Sequence, residues 1–272
     1  MDYLTYTPEG LTNPQKFVYS MHILRPLKIR EEMKKKTRIT CTTDDNWRLF
    51  KEAVLVSPRT FIWGPPGVGK SYTAQQILKT INKNVWQCTL DEDRVVQELL
   101  GHFLPKGTVF VWHNGPVAIA FKEGNGLVIN ELARASSAVK DMFLGILDDP
   151  EVASLRLPND EFITRGKSFK VIATANNPPE DLDEALRDRF DVVIKVDTPH
   201  PMIVNDLNKK LPGLGDMILA SYKDPARAIS PRRAYSFTNL LNNVSREDAA
   251  KLAFGARNKE VLFALEIRWA ER

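Results

Sequence analysis

Residues 64–71 read Gly64-Pro65-Pro66-Gly67-Val68-Gly69-Lys70-Ser71, a G-x-x-x-x-G-K-[ST] pattern set directly after an apolar run and directly before an amphipathic one. Gly67 and Gly69 allow the turns that aim consecutive backbone N–H groups inward, and a helix starting near Lys70 adds the positive end of its dipole. Such a cradle fits a triphosphate. Lys70 is then the point charge for the β and γ phosphates, and the Ser71 hydroxyl a ligand for Mg²⁺, an ion that takes oxygen donors. With Tyr72, residues 64–72 form the expected nucleotide-binding stretch.

A parallel sheet collects ligands outside the carboxyl ends of its strands, so further chemistry is sought after the other apolar runs. Asn130 and Glu131 follow "GLVI", Asn176 follows "FKVIATA", and "LDEALRDRFDV" fills the connection to the last run. Glu131 is placed to polarise a water for attack on a γ phosphate, with Asn176 to hold that water or the phosphate. An Asn before Pro178 is also an ordinary turn former, the plainer reading of Asn176 taken alone.

The elements that must position these groups are legible as patterns. "DDNWRLFKEAVLV" places Trp47, Phe50 and Val54 at helical spacing. Short β-branched and aromatic runs follow at 60–63, 84–88, 126–129, 169–175 and 191–196, mostly separated by helical stretches. Alternation of this kind predicts a parallel sheet covered on both faces. "SYTAQQILKTI" puts Ala74, Ile77, Leu78 and Ile81 on one covering stripe. Two segments predict hairpins: 108–121 around His113-Asn114-Gly115, and 154–164 around Pro158-Asn159-Asp160. Beyond Pro201 the strands stop and short helices follow, one with Ser230 as cap and Pro231 in its first turn. The expected division is an extension or linker at 1–42, an α/β part at 43–198 and a helical part at 199–272.

Composition is that of an ordinary globular chain, with 43% hydrophobic and 26% charged residues, so it selects no class. The net charge of +4 is mild, and the one basic run, 25–38, carries seven Lys/Arg against two Glu. Its ordinary reading is a solvated helix or linker, its other reading an acidic partner surface. Cys41 and Cys88 have no CxxC spacing and read as packing residues of a reducing compartment. His22, His102, His113 and His200 lack metal-ligand spacing, which argues against zinc. The first fifteen residues have neither a basic start nor an apolar core, and no window approaches 18 apolar residues. A cytoplasmic chain without membrane association is expected.

Taken together, "GPPGVGKS", "GPVAIAFKEGNGLVINELARA", "FKVIATANNP", "LDEALRDRFDV" and "SPRR" resemble an AAA+ ATPase, and within that class the MoxR group with its CbbQ, NorQ, GvpN and chelatase relatives. The motifs run over about residues 45–240. The resemblance implies a three-layer αβα P-loop fold with strand order 5-1-4-3-2 and a C-terminal helical lid. It also implies a ring, expected as a homo-hexamer, with ATP between subunits and the two hairpins as inserts facing the pore or a partner. By the same resemblance Glu131 matches the Walker B glutamate, Asn176 sensor 1, Arg189 the arginine finger and Arg232 sensor 2. Arg187 and Arg233 remain open as alternatives, and Arg134 matches a family arginine of less defined role.

One departure stands out. The family's Walker B ends in Asp-Glu, where this chain has Asn130-Glu131. On the metal side Asn130 keeps a carbonyl acceptor and loses the charge, a change of a kind that costs about 10- to 100-fold in metal affinity or activity. The resemblance implies an ATPase that remodels or activates a protein or metalloenzyme partner, with a protein carrying a von Willebrand factor A domain as the candidate partner. The alternatives are a nucleic-acid motor, as second choice, and an ATP-binding switch that hydrolyses weakly because of Asn130.

Overall fold

The computed structural model describes residues 43–82 and 84–270. The basic run 25–38, the extension, His22 and Cys41 lie outside the described residues.

Five parallel strands carry the fold: β1 (Arg59–Trp63), β2 (Val85–Thr89), β5 (Gly126–Asn130), β8 (Lys170–Ala175) and β9 (Val192–Lys195). They lie in the order β2-β5-β8-β1-β9. Counting only these five, the order is 5-1-4-3-2, as the resemblance implies. Alternation along each strand splits neighbours between two faces. Phe61, Leu127, Ile129, Val171 and Ala173 face one apolar cluster, with Phe121, Phe143 and Leu186 from the covering helices. Ile62, Val128, Ile172 and Ile194 face the other, with Phe50, Val54, Ala74 and Leu78. Strand β5, between β2 and β8, is buried along its whole length.

The helices α1 (Thr43–Val56) and α2 (Lys70–Ile81) cover the second face. On the first lie α3 (Val96–Leu100), α4 (Pro116–Glu123), α5 (Ser137–Ile146) and α6 (Glu184–Asp188). Residues 201–270 are helical: α7 (Pro201–Lys210), α8 (Leu214–Ser221), α9 (Pro231–Leu240), α10 (Arg246–Phe254) and α11 (Asn258–Ala270). These pack around a core of their own that includes Leu207, Ile218, Phe237, Phe254 and Leu265. Among the described residues no helix is long and apolar enough to cross a membrane.

The hairpin expected around 158–160 is present as β6 (Ser154–Arg156) and β7 (Phe162–Thr164), with Asp160 at positive φ in its turn. The first hairpin is displaced from its expected place. It consists of β3 (Gly101–Lys106) and β4 (Val109–Asn114), turning at Gly107-Thr108 instead of His113-Asn114-Gly115, and Pro116–Glu123 is α4 instead of its second strand. Pro116 at the first helical position, left-handed Gly124 after the last, and buried Val117, Ala118, Ala120 and Phe121 explain the helix.

Candidate nucleotide site

Three adjacent strands end side by side at the phosphate loop. Trp63 of β1 is level with Ala175 of β8, and Thr174 of β8 with Asn130 of β5. The residues that follow, Gly64, Asn176 and Glu131, therefore emerge at one edge. The loop is held from several sides. Gly64 has φ +146, and a Cβ there would lie 1.8 Å from the Val196 carbonyl oxygen. Val68 is fully buried, and its carbonyl accepts the His200 N–H at 3.0 Å. His200 is half-buried, its Nδ1 caps α7 by accepting the Met202 N–H, and burial holds its pKa below the usual value. It sits edge-on to Trp47, whose indole N–H donates to the Thr198 carbonyl. Gly67, at φ +83, faces the head of α9, since a Cβ would meet Ser230 Oγ at 2.2 Å.

Lys70 is buried and donates to the Gly64 and Pro65 carbonyls and to Asn176 Oδ1 at 2.7, 2.8 and 3.1 Å. Burial pulls its pKa down to about 8, against an upward pull from Glu131 and with a smaller downward push from Arg232. The other end of the same amide, Asn176 Nδ2, donates to Glu131 Oε1 at 2.6 Å. Asn176 thus ties the loop cation to the carboxylate. Glu131 itself is left-handed, φ 59 and ψ 41, with its N–H on the Thr174 carbonyl and its own carbonyl accepting the Arg134 N–H. A non-glycine residue held there costs on the order of 1–3 kcal/mol, a cost met most often at functional sites.

Asn130 is buried beneath this edge. Its Nδ2 donates to the Cys88 carbonyl and to Thr89 Oγ1, both at 3.3 Å, and its Oδ1 accepts from Thr174 Oγ1 at 3.0 Å. Ser71 Oγ stands 3.4 Å from Thr174 Oγ1. Asn130 therefore meets the loop through Thr174. Among the described residues no group of three or more His, Cys, Asp or Glu side chains is arranged to hold a metal. The Ser71 hydroxyl nevertheless fits Mg²⁺, which binds through few protein groups and substrate phosphates, while Asn130 Oδ1, the other expected donor, faces Thr174.

The arginines divide by position. Arg232 begins α9 near enough to Lys70 to depress it, whereas Arg233 lines a cavity of about 270 Å³ with Phe254 and Arg257. Arg189 ends α6 and pairs with Asp148 at 2.7 Å. It lies at the amino end of the sheet, away from the phosphate loop, because β9 begins only at Val192 and Val192 is level with Thr60. Arg134 is exposed, as is Tyr72, while Pro65 is half-buried and Pro66 exposed. Two residues escaped sequence reasoning. Thr174 carries a weak signal, a polar residue near the end of an otherwise apolar strand and two positions before Asn176, whereas Asp148 carries none.

Residues 59–190 match the AAA domain (dynein-related subfamily). The chain is 25% identical over 161 residues to the protein NorQ of Paracoccus denitrificans, covering 58% of this chain and 59% of that protein. It is 31% identical over 169 residues to an uncharacterized protein of Staphylococcus saprophyticus, covering 57% and 62%. The match thus spans about three fifths of the length of these relatives. Among solved structures, the RuvB Holliday junction branch migration motor of Thermotoga maritima is similar at TM-score 0.48 and 15% identity, covering 82% of this chain and 69% of that one. NtrX of Brucella abortus in complex with ATP is similar at TM-score 0.48 and 15% identity, covering 95% and 59%.

Proposed function

The chain carries an AAA domain of the MoxR-like AAA+ kind, and on that premise we propose that it binds Mg²⁺-ATP and hydrolyses it, working in a ring to remodel or activate a protein partner. One observation carries the reading: Asn176 bonds both Lys70 and Glu131 where three strands end together. In this reading the N–H groups of residues 64–72 and Lys70 bind the phosphates, and Ser71 ligates Mg²⁺. The ion supplies charge to offset what develops on the phosphates. Glu131 orients and deprotonates the attacking water, and Asn176 fixes the carboxylate and the incoming phosphate. Arg232 reaches the phosphates from α9. Residues 43–198 are the ATP-binding subdomain, and 199–272 the lid.

Arg189 supports the ring. It stands on the far side of the strands from its own Lys70, so a phosphate contact has to be made on a neighbour's ATP. The exposed apolar side chains of the β3–β4 hairpin, Phe103, Val109 and Phe110 among them, support a protein partner, for which a von Willebrand factor A protein is the first choice. A cytoplasmic setting belongs to the same reading. A second reading, an ATP-dependent switch with weak hydrolysis, draws on the missing charge at Asn130.

The test is ATP binding and turnover across three chains. The native chain is expected to bind and hydrolyse ATP. Lys70→Ala is expected to lose binding, and Glu131→Gln to keep binding while turnover falls by about 100-fold or more. Wild-type turnover in Glu131→Gln would sink the assignment of the base. Tight binding with no turnover in the native chain would select the switch.

A further inference from the structure

The amide at position 130 has a direction, and the structure shows what sets it. The Cys88 carbonyl oxygen can only accept, so the Asn130 atom that faces it at 3.3 Å is the NH₂ group. Asn130 Oδ1 then faces Thr174, and the single Thr174 hydroxyl proton is committed to it at 3.0 Å. At the 3.4 Å contact between Ser71 and Thr174, the serine is therefore the donor. The chain runs one way, from Ser71 through Thr174 and Asn130 to the backbone of β2, and both Thr174 and Asn130 are buried. We propose that Thr174 and Asn130 are positioning residues that draw the Ser71 proton into the protein and leave the Ser71 lone pairs turned outward for the Mg²⁺ of bound ATP.

The inference rests on the Mg²⁺-ATP reading and gives the amide a task of its own. A carboxylate at position 130 would also accept from Thr174. It would have no proton for the Cys88 carbonyl, and one of its two equivalent oxygens would face that acceptor unpaired. Asn130 is then the anchor of a hydroxyl chain, a task separate from the charge that the amide lacks.

The test separates metal coupling from nucleotide binding. In the full chain carrying Glu131→Gln, so that ATP survives, ATP affinity is measured by calorimetry in excess Mg²⁺ and again in EDTA, with and without Thr174→Val. The ratio of the two affinities is expected to fall about 10-fold with Thr174→Val, with the affinity in EDTA unchanged, and Thr174→Ser is expected to restore the ratio. If Thr174→Val does not fold, Thr174→Cys, a weak donor of similar size, is expected to show the same loss. An unchanged ratio overturns the proposal, and so does an equal loss in both buffers, which would make Thr174 a packing residue. A parent chain that binds no ATP in either buffer overturns both the Mg²⁺-ATP reading and this one.

Discussion

Lys70 shows how far one side chain's surroundings determine what the site can bind. Its three acceptors, the Gly64 and Pro65 carbonyls and Asn176, hold the ammonium in a buried position. Burial is the largest influence on it and brings its pKa from the usual 10.5 to about 8. The consequence for stability has a definite sign. Between about 8 and 10.5 the unfolded chain holds a proton that the folded chain has released, so this residue's contribution to stability rises with pH across that window. The proposed ATP binding is expected to respond in the opposite sense, because phosphates pair with the charged form. As pH rises from 7 to 9.5, the melting temperature of the ligand-free protein is expected to gain a Lys70-dependent increment while ATP affinity falls. Thermal melts and ATP titrations on the native chain and Lys70→Met check both. Parallel melting profiles in the two chains would remove the lysine from the account.

At the scale of elements, the β3–β4 hairpin is the part whose chemistry is least explained by packing. Phe110 is 73% exposed, Val109 58% and Phe103 48%, although Phe103 also meets Trp112 edge-on at 5.1 Å. Replacing Val109 and Phe110 by Thr and Ser is expected to change stability by less than about 0.5 kcal/mol and to leave ATP affinity intact. If the chain acts on a protein partner as proposed, the same pair of changes is expected to abolish its capture by Glu131→Gln in ATP. Undiminished capture would show that the hairpin is not the docking element. This hairpin is also where sequence reasoning lost its register, for a physical reason. Alternation reports a face only when one face is buried, and along β3 nearly every residue is exposed. The five core strands were legible because they are short runs rich in β-branched and aromatic residues, and the helix stripe of Ala74, Ile77 and Leu78 because one side of α2 is covered. Lys70, Glu131 and Asn176 could be placed at one edge from strand order. The left-handed turn at Glu131 and the Asp148 partner of Arg189 could not, since both arise from contacts between segments distant in sequence.

For the whole molecule the proposed trans role of Arg189 follows from where it stands on the sheet. With Thr60 level with Val192 and Trp63 level with Lys195, β1 and β9 run in the same direction. Arg189 precedes β9 and the phosphate loop follows β1, so they are separated along the sheet by at least ~13 Å at 3.3 Å per residue. That exceeds what an arginine side chain spans, and the guanidinium is already engaged by Asp148. A trans role makes a prediction that no monomer can meet. Arg189→Ala and Lys70→Ala are each expected to be inactive alone, the former by about 1,000-fold if the arginine stabilises charge on the transferred phosphate. Mixed, they form interfaces in which an intact Lys70 site from one chain faces an intact Arg189 from another. ATPase activity is therefore expected to recover partly in the mixture, peaking near equal amounts. Light scattering in ATP checks that both variants still assemble, and assembled mixtures that stay inactive at every ratio would show that Arg189 does not complete a neighbour's site.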